Sequence, residues 1–174
     1  MGLIYPALIL IVITVISIAW TTFRGAPWVP TSMKRVHKML DMADVGPDDT
    51  VYDLGCGDGR TVIAAARRYG ARAVGIEIAP TRYLWCILLV TILGLRDQVT
   101  ILYGDFFKHD LSDADVVTCY LLQDTNHRLV QKFVDELRPG TRVVSNTFFF
   151  PDTFKVKEDG EVRLYQFNYV TDST

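Results

Sequence analysis

The chain has 174 residues, 49% of them hydrophobic and 22% charged, with 18 basic side chains against 20 acidic ones. Those proportions exclude a disordered, collagen-like or low-complexity chain. The near balance of charge lacks the basic excess typical of a protein that lives on nucleic acid, and no nucleic-acid partner is expected. The first charged side chain is Arg24, so residues 1–23 carry none, and the remainder is long enough for one compact core.

Leu3 to Trp20 (LIYPALILIVITVISIAW) is interrupted only by Pro6, Thr14 and Ser17. A helix needs about 20 apolar residues to cross a hydrocarbon core, and Thr21, Thr22 and Phe23 complete that length. Tyr5 and Trp20 stand where an interfacial aromatic belt would place them, and Pro6 falls in the first turn, where its missing N–H does little harm. A secretory signal would open on a basic residue and close on an A-x-A-like site; neither is present here. A buried core helix is rarely so uniformly apolar. Residues 1–23 therefore read as a transmembrane anchor, 24–30 as a short connector stiffened by Pro27 and Pro30, and 31–174 as one domain. Arg24, Lys34, Arg35 and Lys38 follow the anchor, so the positive-inside rule expects a single-pass protein with its domain in the cytoplasm. Cys56, Cys86 and Cys119 form no C-x-x-C pair and are expected to be free core thiols of a reducing compartment.

Met33, Val36, Leu40 and Ala43 fall on one helical face, with Thr31 or Ser32 as N-cap. Gly46-Pro47-Asp48-Asp49 is a turn. Thr50–Leu54 is a strand running into glycines, Arg60–Tyr69 a helix capped by Gly70, and Ala71–Glu77 a second strand. Arg82–Leu93 is a helix closed by Gly94. Its stretch Tyr83–Leu93 carries no charge; it is too short to span a bilayer. It reads as a helix buried against the sheet, or as one exposed toward the anchor or the lipid interface. Val99–Asp105 and Ala114–Tyr120 are strands, Thr125–Leu137 a helix ended by Pro139-Gly140, and Thr141–Phe150 a fifth strand. The remainder reads as a hairpin around Glu158-Asp159-Gly160. Strands alternating with helices imply an α/β fold with a doubly wound, mostly parallel sheet, here with a C-terminal antiparallel hairpin.

The strongest signal is Asp53-Leu-Gly55-Cys-Gly57-Asp58-Gly59-Arg60. Its place, where the first strand meets a helix, is where open α/β sheets bind ligands. The spacing is G-x-G-x-G rather than the dinucleotide G-x-G-x-x-G, and Arg60-Thr61 replaces the Lys-Ser/Thr of a Walker A loop. Phosphate sites collect donors and positive charge, whereas this loop carries Asp53 and Asp58. A carboxylate there suits a cationic group, which argues for a nucleoside bearing an amino acid. Glu77 ends the second strand, placed to accept hydrogen bonds from both ribose hydroxyls. Asp105 can accept from an adenine amino group while Phe106 supplies an apolar wall. Any one such acid is ordinarily a cap or an ion-pair partner; acids at three successive strand ends make a pattern.

On these residues the chain resembles the class I S-adenosylmethionine-dependent methyltransferases. VYDLGCGDGR is similar to the family's first motif, AVGIE to the second, YGDFF to the third and ADVVTCYL to the fourth. WVPTSMKRVHKML, VVTCYLL and RVVSNTFFFP further resemble a family of small membrane-anchored protein-lysine methyltransferases, related to archaeal enzymes. Its eukaryotic members act on the ATP synthase c-subunit and the adenine nucleotide carrier. SNTF is similar to the S-x-x-F element of the non-SET histone-lysine methyltransferases. One departure is Ser32, where a second proline is expected.

The resemblance implies a Rossmann-like fold and S-adenosylmethionine as cofactor. It implies that Asp53, Gly55, Gly57, Asp58 and Gly59 surround the methionine moiety, Glu77 holds the ribose and Asp105 with Phe106 the adenine. Thr31 closes over the cofactor from the other side. It places Tyr120 beside the sulfonium as the catalytic side chain, and Leu121, Ser145 and Phe148 with it against the substrate. The implied partners are a protein bearing the target lysine and, through the N-terminal helix, the lipid bilayer. Methyl transfer to an amine needs positioning and desolvation more than a base. His37, His109 and His127 are scattered, and no Ser/His/Asp or metal constellation can be assembled. A lipid or quinone methyltransferase, or a cofactor-binding membrane subunit without activity, are the other readings.

Overall fold

The computed structural model describes residues 29–167 together with Tyr5 and Leu8. The apolar segment expected to form the anchor therefore lies, apart from those two residues, outside the described residues. Among the described residues no helix is long and apolar enough to cross a membrane.

The elements are α1 (Met33–Met42), β1 (Thr50–Leu54), α2 (Arg60–Tyr69), β2 (Arg72–Glu77), α3 (Pro80–Ile92), β3 (Val99–Tyr103), β4 (Val116–Cys119), α4 (Gln123–Glu136), β5 (Arg142–Asn146), β6 (Lys155–Asp159) and β7 (Val162–Gln166). Short 3-10 turns lie at Phe106–Lys108 and Asp152–Phe154. The strands form one sheet in the order β3-β2-β1-β4-β5-β7-β6. The first five are parallel; β7 is antiparallel to both β5 and β6. The expected hairpin is thus present, with β7 inserted between β5 and an edge strand β6.

The order reverses at β1, whose chain runs on to β2 on one side while β4 joins from the other. Connections leaving the two sides of such a switch point diverge and open a crevice at the carboxyl ends of the strands. Two apolar layers flank the sheet. One packs Val36, Met39 and Leu40 of α1, Val62 and Ala64–Ala66 of α2 and Val90 of α3 against Val51, Ala73, Val99 and Val116. The other packs Leu129 and Phe133 of α4 against Leu54, Ile76, Val117 and Val143. This alternation of side chains along each strand is the two-residue period of a sheet buried on both faces.

Ser32, the residue that departs from the expected proline, is the N-cap of α1: its hydroxyl accepts the Arg35 N–H at 3.4 Å. The buried face of α1 uses Met39 in place of Met33, which is 44% exposed. α3 begins at Pro80, a residue suited to the first helical turn, and α4 begins at Gln123, each two residues before the sequence signal.

β5 is shorter than its run of β-formers predicts. It stops at Asn146 because Thr147 takes φ 68°, a left-handed conformation that disfavours a β-branched residue. The Thr147 N–H donates to the Glu161 carbonyl at 2.7 Å, so the hairpin holds the turn in place. Phe148–Phe150 leave the sheet and swing back toward α4. All three cysteines are free and buried.

Candidate active site

The glycine loop between β1 and α2 is built from three residues at positive φ, Gly55 (75°), Gly57 (60°) and Gly59 (80°). The loop folds back on β2: the Gly55 and Cys56 N–H groups both donate to the Ile76 carbonyl, at 2.9 and 3.0 Å. The Gly57 N–H donates to the Glu77 carboxylate at 2.9 Å. Glu77 is buried and also accepts from the Ala79 N–H at 2.7 Å and from Arg82 at 3.3 Å. One acid therefore ties the ends of β1 and β2 together. Beneath the loop, the Cys86 thiol donates to the Gly57 carbonyl at 3.1 Å. Hydrogen bonding with Cys86 and burial push the Cys56 thiol up, so it stays protonated.

A cavity of about 270 Å³ opens over this loop. Its floor is Asp53, Gly55, Cys56, Gly57 and Asp58; one wall is Glu77, Ile78, Asp105, Phe106 and Phe107; the far end is Tyr120, Leu121 and Leu122; Val29, Pro30 and Thr31 form the near rim. Asp53 is buried and accepts from the Thr118 hydroxyl at 2.7 Å. Burial pushes its carboxyl up to about 6, against hydrogen bonds from Thr118 and Thr61, and the Glu77 and Asp58 charges push the same way. Asp58 differs: burial pushes it up, but the hydrogen bonds and charge of Arg60 outweigh that and hold it below the usual carboxylate range. The Arg60 guanidinium grips Asp58 and also donates to the Thr31 carbonyl, latching the rim segment over the pocket.

Asp105 caps the short turn after β3 through the Phe107 N–H at 3.0 Å. Phe106 and Phe107 lie with ring centroids 4.9 Å apart, and Arg128 sits over the Phe107 ring at 4.3 Å. At the far end the Tyr120 and Phe148 rings stack at 6.4 Å and 28°. The loop that carries Phe148 is held by Gln123, which donates to the Phe149 carbonyl at 2.8 Å and accepts its N–H at 3.0 Å. The structure thus gathers Thr31, Asp53, Gly55, Gly57, Asp58, Glu77, Asp105, Phe106, Tyr120 and Leu121 into one cavity.

Gly59 and Ser145 do not line that cavity. Gly59 caps α2 from below, where an added Cβ would meet the Cys86 sulfur at 3.1 Å. Ser145 is fully buried; its hydroxyl donates to the Phe148 carbonyl and accepts from Asn126 at 3.3 Å, so it braces the loop that presents Phe148. Phe148 itself reaches the pocket only through Tyr120. Arg60, Phe107 and Arg128 line the cavity without having been singled out in the sequence. Phe107 directly follows Phe106 and was legible there; Arg60 closes the glycine motif beside Asp58, but its reach to Thr31 and the place of Arg128 over Phe107 become visible only in the fold. Among the described residues no group of His, Cys, Asp and Glu could hold a metal ion.

Residues 53–157 match the ANTKMT methyltransferase domain. The chain belongs to that methyltransferase family. It is 42% identical over 149 residues to a protein-lysine N-methyltransferase of Saccharolobus islandicus (strain REY15A), covering 83% of this chain and 92% of that one. It is 32% identical over 139 residues to the adenine nucleotide translocase lysine N-methyltransferase of Mus musculus, covering 78% of this chain and 58% of that relative. Among solved structures, one described as an RNA methyltransferase from Salinibacter ruber in complex with S-adenosyl-L-homocysteine superposes with a TM-score of 0.73. That structure is 43% identical and the match covers 80% of this chain and 94% of its own. The chain is therefore an S-adenosylmethionine-dependent methyltransferase with the Rossmann-like fold of that group.

The cavity suits that cofactor on its own terms. It offers a buried acid for a cationic amino-acid end, a second acid with both oxygens held in place for hydroxyls, and an aromatic wall for a base. Glu77→Ala is expected to weaken S-adenosylmethionine binding by about 1.5–3 kcal/mol, the loss of a charged acceptor. The same change releases the Gly57 and Ala79 N–H groups and lowers the melting temperature of the free protein. Titration calorimetry and thermal melts read the two effects; an unchanged dissociation constant with a lowered melting point would make Glu77 a brace only.

Proposed function

We propose that this methyltransferase modifies lysine side chains of a protein held at a membrane, from the cytoplasmic side, with residues 1–23 as its single-pass anchor. The observation that carries the lysine reading is the far end of the pocket. There the Tyr120 and Phe148 rings stack beside Leu121 and Leu122, and no histidine lines the cavity. The names carried by the Saccharolobus and mouse relatives support it.

The bound cofactor supplies a methyl group already activated on a sulfonium. What remains for the chain is to bring in an amine in its neutral form. A lysine amine has an unperturbed pKa of about 10.4, and an apolar aromatic surround disfavours its charged form. The face of Tyr120, backed by Phe148, also attracts a methylated ammonium product through its positive charge. Gln123 and Ser145 set the position of Phe148 and thereby the width of that end. The anchor reading rests on the charge-free segment followed by Arg24, Lys34, Arg35 and Lys38.

A second reading, methylation of RNA, is favoured by the description of the Salinibacter ruber relative; the balance of 18 basic against 20 acidic side chains speaks for protein. One experiment tests both. Membranes and RNA from cells lacking the enzyme are incubated with it and labelled S-adenosylmethionine, then separated into protein, RNA and lipid. Label on protein lysines is the expected result; label in RNA or lipid alone would replace the lysine reading.

The anchor gives a further expectation. Every described pocket-lining residue lies at Val29 or later, and every motif of the cofactor resemblance lies there too. A chain beginning at Gly25 should bind S-adenosylmethionine as the full chain does, yet methylate membrane-embedded protein at least about tenfold more slowly, because anchoring raises effective concentration. Equal rates would remove the tethering role.

A further inference from the structure

α3 packs on the sheet through Cys86 and Val90, which are 0% and 3% exposed. Its opposite side presents Leu84, Trp85, Leu88 and Ile92, exposed by 62%, 51%, 49% and 69%. With spacings of one, four and eight residues from Leu84 they form a single helical face. The patch extends to Leu93 and to Tyr103 at the end of β3, whose ring lies 5.3 Å from that of Tyr83. α3 contains no acidic residue, and its one basic side chain, Arg82, is drawn away to Glu77. No described residue covers this face. An uncharged patch of large side chains with a tryptophan in it is unusual on a soluble surface, and tryptophan is favoured where hydrocarbon meets water.

The place where the chain leaves the described domain indicates what covers the patch. Val29 and Pro30 lie on the rim of the cofactor cavity, and so does Arg82 in the first turn of α3. Five residues, 24–28, separate the apolar N-terminal segment from that rim, and the six Cα steps from residue 23 to residue 29 reach about 20 Å when extended. α3, with 13 residues, is itself about 20 Å long. A bilayer holding the N-terminal segment therefore lies within reach of a helix that starts at the same rim.

We infer that the Leu84–Trp85–Leu88–Ile92 face of α3 lies on that bilayer as a second, interfacial contact, so that the end of α3 bordering the cavity is held at the membrane surface. The inference rests on the anchor reading of residues 1–23. One transmembrane segment leaves a tethered domain free to rotate; a second contact on the same surface fixes which side looks down. The face meets the lipid as an interfacial helix does, with its apolar side chains among the headgroups and upper acyl chains.

The test uses the full chain with Trp20→Phe and Trp28→Phe, which leaves Trp85 as its one tryptophan. It is reconstituted in vesicles of phosphatidylcholine and phosphatidylglycerol, with and without brominated acyl chains, and vesicle flotation is read alongside fluorescence. The expected result is co-flotation, Trp85 emission at shorter wavelength than an exposed tryptophan gives, and quenching by the brominated lipid. Adding Leu88→Glu and Ile92→Glu should abolish the quenching while leaving flotation and S-adenosylmethionine binding unchanged. A chain that floats with Trp85 unquenched overturns the α3 contact and leaves the anchor standing. Short-wavelength emission without quenching assigns the face to protein, whether the N-terminal segment, a second copy or a partner, and overturns it equally. A chain that fails to float overturns the anchor reading and this inference with it.

Discussion

Gly57→Arg is expected to lose S-adenosylmethionine binding by more than about a hundredfold, ~2.8 kcal/mol, in a protein that still folds. Gly57 stands at φ 60° and lines the floor of the cavity. Its N–H and carbonyl are both engaged, by Glu77 and by Cys86, so a shift of this residue breaks two hydrogen bonds. An arginine there carries a left-handed backbone cost of about 1–2 kcal/mol, which lowers the melting temperature by several degrees. Its long, charged side chain also starts from the cavity floor, the surface expected to carry the cofactor. Gly57→Ala separates the two effects, since it keeps the backbone cost and adds only a methyl group. Calorimetry that finds normal binding by a folded Gly57→Arg protein would remove the loop from the cofactor site.

The second large effect is on pH. Free Asp53 holds its proton up to about pH 6 because it is buried, whereas a cationic ligand end needs it ionised. Cofactor affinity should therefore be level above that pH and fall about tenfold for each unit below it, as binding must expel the proton. Stability of the free protein runs the other way. The folded state keeps a proton that the unfolded chain releases near the ordinary value of 3.8, so the contribution of Asp53 to stability declines as pH rises from about 4 to 6 and is constant above. Asp53→Asn should bind more weakly at pH 7.5 and lose both pH dependences. An affinity that is flat from pH 7.5 to 5 in the unsubstituted protein would mean that Asp53 does not face the cationic end.

The parts of this protein that follow from local chemistry were legible in the sequence. The alternation of strands and helices, the glycine loop behind Asp53 and the acids at the ends of β2 and β3 need only chain order and spacing to be located. What was hidden depends on partners distant in the chain. Thr147 sits in a run that reads as continuous strand, and only the Glu161 carbonyl of the hairpin explains why β5 stops before it. Arg128 joins the cavity through Phe107, and no motif marks it; Arg60 ends the glycine motif, but its bond to the Thr31 carbonyl is not visible there. Ser145, implied as a substrate contact, is buried outside the described lining of the cavity, its hydroxyl bonded to Asn126 and the Phe148 carbonyl. The two readings of Tyr83–Leu93 were open because periodicity cannot separate a helix buried on both sides from one left bare on one side. The fold shows one side packed on the sheet and the other bare: β3 is an edge strand, and nothing described packs beyond α3.

The latch between Arg60 and the Thr31 carbonyl has a mechanical consequence. Tension applied to the N-terminus, as in an optical trap, enters the described domain through this segment and meets the guanidinium that grips Asp58 on the pocket floor. The β6–β7 hairpin comes next, tied to α1 through Lys38–Asp159 and Arg35–Glu161. Pulling on the N-terminus therefore loads the cofactor pocket before the core, and the force at which the rim yields becomes a reading of how firmly Arg60 holds it shut.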